Sequence, residues 1–154
     1  MKSKLHAIFG SAALLCITTF WLSTVVSELF MDRASVAAVK SAVLSGMWLL
    51  IPSMAATGSS GFSLAKGRGG RLVSVKSQRM KIVAANGLLV LLPSAFVLAS
   101  WANAGRFDSV FYALQGVELV AGAVNFSLLM LNMRDGLKLS GRLTPTPSAP
   151  GASR

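Results

Sequence analysis

The stretch from Ser109 to Met133, SVFYALQGVELVAGAVNFSLLMLNM, constrains the fold more than any other. It exceeds the ~20 residues that an α-helix needs to cross a bilayer, and it carries no basic residue. Gln115, Glu118, Gly122, Asn125 and Asn132 follow one another at spacings of three, four, three and seven. Those spacings put them all on one helical face. The other faces are Val, Leu, Phe and Ala. Hydrocarbon cannot satisfy a polar stripe that holds an ionisable residue, so the stripe must turn toward protein or a water-filled cavity. The remaining apolar runs are then the helices that cover it.

Composition agrees with a membrane setting. Of 154 residues 53% are hydrophobic and only 13% charged, too few charges for the surface of a soluble domain this size. The net charge of +10 would point to nucleic acid in a soluble protein. In a membrane protein it reads instead as basic loops that face anionic headgroups, and no nucleic-acid partner is expected. The single Cys16 excludes an intrachain disulfide and any multi-cysteine metal site.

The expected architecture is all-α, an integral membrane four-helix up-down-up-down bundle. Its domain covers 1–140, with spans at about 5–30, 34–56, 82–101 and 109–133, a basic loop over 57–81, and a disordered tail over 141–154. The first run outlasts a signal-peptide core and has no Ala-x-Ala site before Glu28, which predicts an uncleaved helix. His6, Gly10, Ala13, Ile17, Thr24 and Glu28 share its inward side. Pro52 is expected to loosen the last turn of the second span, and Pro93 to open a backbone hydrogen bond in the third. Arg134-Asp135-Gly136 reads as a stop for the fourth. The N-terminus, the 57–81 loop and the segment after Met133 hold twelve Lys or Arg, against Arg33, Lys40 and Arg106 on the other side. The positive-inside rule therefore predicts cytoplasmic termini.

Three constellations could carry function. The first lies at the inner ends. His6, Met54 and Met80 come from three helices at one depth, and His and Met are axial ligand types for haem b. The alternative reading is an interfacial histidine among apolar fillers. The second is in the outer half. Lys40 and Glu118 stand at similar depths, with Glu28 as a shallower partner. They form either a proton or ligand site for a small carrier or an internal pair that fixes helix register. Gln115, Glu118 and Asn125 could hydrogen-bond a quinone headgroup or simply neighbouring helices. The third is Gly67-Arg68-Gly69-Gly70 with Arg71, Lys76 and Arg79. Neither nucleotide fingerprint is present, so an anionic-lipid or acidic-partner surface is the expectation. No catalytic triad, zinc motif or catalytic carboxylate pair is visible, and whether the chain is an enzyme stays open.

In size and helix count the chain resembles the four-helix b-type cytochromes of bacterial membranes. It departs from them at the ligands, since they use several histidines and this chain has one. The phrases SGFSLAKGRGGRLVSVKSQRM, ANGLLVLLP, FYALQGVELVAGAVN and LNMRDGL resemble uncharacterised four-span bacterial inner-membrane proteins over Lys4 to Leu139. That resemblance implies the inner (cytoplasmic) membrane of a bacterium and no known activity. The expected role is a structural or accessory bundle, alone, as a homo-oligomer or with a membrane-protein partner. The alternatives are a redox bundle or a carrier.

Overall fold

The computed structural model describes residues 2–66 and 70–139. Within them the chain is helical and holds no strand. Helix α1 spans Lys2–Phe30, α2 Arg33–Ala65, α3 Arg71–Asn86, α4 Leu92–Asn103 and α5 Ser109–Leu139. A π-helical turn, Gly87–Leu91, joins α3 to α4 into one rod. The result is four long helices, each apolar enough to cross a membrane.

Consecutive rods run antiparallel, as the side-chain register shows. On α1 and α2, His6 meets Ser60, Gly10 faces Thr57, and the ring of Phe20 covers Gly46. On the α3–α4 rod, Asn103 reaches Ser41 of α2 at 3.0 Å, and Asn125 of α5 reaches the Val83 carbonyl at 3.3 Å. Helix α1 also packs on α5, so the rods close into a ring.

The outside of this ring is apolar. Trp48 is 86% exposed and Leu89 77%, and Leu15, Val120 and Leu29 are similarly open. Such a surface is at home in lipid rather than water. The inside is layered. One cluster, Leu14, Ile17, Val83 and Leu129, fills one half. A second, Val36, Leu98, Ala102 and Phe111, fills the other. Polar side chains lie between them.

Two expected boundaries are corrected. Much of the 57–81 segment is helix, because α2 runs on to Ala65 and α3 starts at Arg71. Glycine and serine there lower helix propensity, but packing against α1 supplies what propensity lacks. The hydroxyls also turn back onto the helix: Thr57 donates to the Ser53 carbonyl at 2.7 Å, and Ser60 to that of Ala56 at 2.5 Å. Pro52 consequently lies mid-helix, not in a last turn. Likewise α5 passes straight through Arg134-Asp135-Gly136. At Gly136 an added Cβ would meet only the mobile tip of Lys76, 2.9 Å away.

Other signals act locally. Asp32 caps α2 by accepting from the Ser35 amide at 2.8 Å. Asp108 caps α5 by accepting from that of Phe111 at 2.9 Å. Gly105 turns the chain between α4 and α5 at φ +72°, a conformation that disfavours a side chain. Before Pro93, the Leu92 amide bonds the Gly87 carbonyl, five residues back. The wider π turn accommodates a proline that has no N–H and crowds the preceding turn. The expected disordered tail and Arg68 lie outside the described residues.

Candidate functional site: the polar layers of the bundle

Among the described residues Lys40 has the most deeply buried charged side chain, 1% exposed. It stands seven residues beyond the start of α2, about 10 Å of helix rise. Its Nζ donates to Glu118 Oε2 at 2.6 Å. The same oxygen accepts from Gln115 Nε2 at 3.1 Å, one turn earlier on α5. Gln115 is 3% exposed, and its Oε1 is buried with no partner. Glu28, near the end of α1, lies within electrostatic reach of both Lys40 and Glu118. Its Oε1 is likewise buried and without a donor. Three rods thus converge on one cluster of two carboxylates, one ammonium and one amide.

A second polar layer is neutral. Asn86 Nδ2 donates to Asn125 Oδ1 at 2.8 Å and to the Ala121 carbonyl at 2.9 Å. With the bond from Asn125 to Val83, these contacts join α3 to α5 beside the π turn. Of the three residues that were candidates for a quinone headgroup they occupy Asn125, which acts here as a helix-to-helix bond. Trp21 adds an α1 contact by donating Nε1–H to the Leu119 carbonyl at 2.9 Å.

The third layer is at the other end. Arg79 donates to Asp135 at 2.6 Å, and Asp135 is buried, with Arg134 a further 3.4 Å neighbour. Of the proposed anion-binding set, Arg79 is therefore turned inward, Lys76 is half-buried beside Gly136, and Arg71 is exposed. Sequence reasoning assigned Asp135 to a helix stop. The signal that would have found its role is its place three residues beyond Asn132, on the same stripe.

The structure gathers Met54 and Met80 against one apolar cluster. His6 instead pairs its Nδ1 with Ser60 Oγ at 3.0 Å. Ser60 lies six residues beyond Met54, about 9 Å of helix rise. The ligand types named for haem b are thus split between a packed methionine pair and a hydrogen-bonded histidine. Among the described residues no group of three or more His, Cys, Asp or Glu is arranged to hold a metal ion.

No protein family, curated protein or solved structure matches this chain.

Proposed function

We propose that this chain is a multi-pass bundle of a bacterial inner membrane, with both termini in the cytoplasm. Its basic cytoplasmic end binds anionic lipid headgroups, and its role is accessory or structural. One observation carries this reading. At the end where α1 begins and α2 and α5 finish, Lys4, Lys66, Arg71, Lys81, Arg134 and Lys138 are exposed. The one acid there among the described residues, Asp135, is buried against Arg79. The opposite end is balanced, with Asp32 and Asp108 beside Arg33 and Arg106.

Helix length supports the same reading. Helix α2 has 33 residues, about 50 Å at 1.5 Å per residue, against ~30 Å of hydrocarbon. The excess on α2 and on the start of α3 lifts cations into the headgroup region. Phe62 and Leu72, both exposed, can enter the acyl boundary beside them. Each basic residue near an anionic surface contributes about 1 kcal/mol.

Two experiments test the reading. Purified protein titrated with phosphatidylglycerol or phosphatidylcholine, followed by native mass spectrometry, should retain the anionic lipid selectively. Replacing Arg71, Lys81 and Lys138 by Gln should remove the selectivity. Equal retention of both lipids by the unmodified protein would refute the lipid role. A periplasm-active reporter fused after Arg154 should be silent, and strong activity would reverse the orientation.

A further inference from the structure

The cluster at the other end holds more negative charge than its protein partners neutralise. Lys40 is its one cation, and Glu118 takes that cation at 2.6 Å. Glu28 is the second carboxylate within reach of both. Helix α4, LPSAFVLASWAN, packs on α2 and α5 and brings no ionisable side chain. The charged groups facing the cluster are thus Glu28 from α1, Lys40 from α2 and Glu118 from α5. With both carboxylates ionised they sum to one uncompensated negative charge, carried by a Glu28 that is half-buried near the end of the bundle. Burying such a charge is costly unless something pairs with it.

The hydrogen bonds point to the same deficit independently. Gln115 is 97% buried, by its 3% exposure. Its amide orientation is fixed, because only the NH₂ group can donate to Glu118 Oε2. Its Oε1 is left as a buried acceptor with no donor, as is Glu28 Oε1. Native interiors rarely leave such atoms unmet. The cluster lacks a positive charge, and its open valences are oxygen lone pairs.

We propose that this cluster binds one exchangeable monovalent cation, a proton or an alkali-metal ion, at Glu28, with the Gln115 carbonyl oxygen as a second unmet acceptor of the same site. Glu28 lies two residues from the end of α1, about 3 Å of helix rise, whereas Glu118 lies about 14 Å along α5. The cation therefore enters from the outer end and meets Glu28 first. Lys40 and Glu118 form the fixed pair behind it. Lys40 attracts Glu28 through space but gives its hydrogen bond to Glu118. This site is at the opposite end from the basic face, so it stands or fails separately from lipid binding.

The test uses the full-length protein in lipid nanodiscs. If the cation is a proton, infrared difference spectra will show the carbonyl stretch of a protonated carboxylic acid that disappears on alkalinisation and is missing in Glu28→Gln. If it is a metal ion, sodium or potassium chloride will raise Tm relative to choline chloride, and Glu28→Gln will abolish the rise. Glu118→Gln supplies a readout that a merely structural Glu28 would not move. It frees Lys40 to neutralise Glu28, so the proton band should vanish at lower pH, or the metal-ion effect should shrink, while Glu28 itself is intact. The proposal is overturned if Glu28 shows neither a proton band nor a cation effect. It is equally overturned if the band survives Glu28→Gln, or if Glu118→Gln leaves the behaviour of Glu28 unchanged.

Discussion

Trp21 of α1 sits directly against Gly122 of α5, where an added Cβ would stand 2.8 Å from Trp21 Cδ1. The indole cannot swing aside freely, because its Nε1–H is bonded to the Leu119 carbonyl three residues earlier on α5. The glycine, the carbonyl and the ring together set how closely the first and last rods approach. Glycine lets helices pack this closely in membranes. Gly122→Ala gains up to ~1 kcal/mol of helix propensity, but its Cβ meets the pinned indole, so it should still lower stability. Gly122→Leu overfills the contact and should cost about 1–3 kcal/mol. Thermal unfolding in detergent followed by tryptophan fluorescence checks both. An unchanged Tm for the leucine variant would mean that the two rods do not meet here.

The Lys40–Glu118 pair makes a second prediction. Lys40→Met strands a mostly buried carboxylate and should destabilise by ~3 kcal/mol or more, because a buried charge is left without a partner. Glu118→Leu should cost less, because Glu28 is within electrostatic reach of the freed Lys40. The double variant should recover most of the Lys40→Met loss, since an apolar pair of similar volume is about neutral. A double-mutant cycle on unfolding free energies measures the coupling. Additive losses would show that the 2.6 Å contact carries no energetic coupling.

Arg79 and Asp135 do the same work at the other end, but between α3 and α5 only. Asp135→Asn removes a buried acceptor charge and leaves Arg79 without its ionic partner. Amide exchange should then quicken across 71–86 and the last turns of α5, while the α1–α2 face, held by His6 and Ser60, keeps its protection. Uniform acceleration throughout the chain would mean instead that the pair supports the whole bundle.

Much of this arrangement was legible because membrane helices leave few ambiguous signals. In α5 a handful of polar residues stand out from an apolar background, and Gln115, Gly122, Asn125 and Asn132 are indeed buried. On α1, Ala13, Ile17 and Thr24 are buried as their spacing predicts. What could not be read depends on partners distant in sequence. Nothing local in ATGSSGFSLA says that it is helical; its contact with His6 does. Nothing in Arg134-Asp135-Gly136 distinguishes a stop from a crossing point, because only the approach of Arg79 gives Asp135 its role. The choice of Glu118 over Glu28 as the partner of Lys40 is also set by how the rods meet.

The starts of α2 and α5 should be acid-sensitive, and the sign follows from their caps. Asp32 is held below its ordinary value of 3.8 by hydrogen bonds from Ser35. Asp108 is held below the same value by the Phe111 amide first, and then by Arg106, whose Nε lies 2.7 Å away. A carboxylate with a depressed folded value binds fewer protons folded than unfolded near that range. Its contribution is therefore fully present above pH 3.8 and is lost as pH falls through the lower folded value. Both side chains are exposed, so the effect is local fraying of the first turns of α2 and α5 rather than global unfolding. The amide chemical shifts of Ser35 and Phe111 should titrate together with their carboxylates in that acid window and stay flat at neutral pH. Asparagine caps helices about as well as aspartate. Asp32→Asn and Asp108→Asn should accordingly keep the neutral-pH structure and abolish the acid titration of those amides. If the asparagine variants still titrate, the proton is binding elsewhere; if they fray at neutral pH, the charge rather than the hydrogen bond holds the helix start.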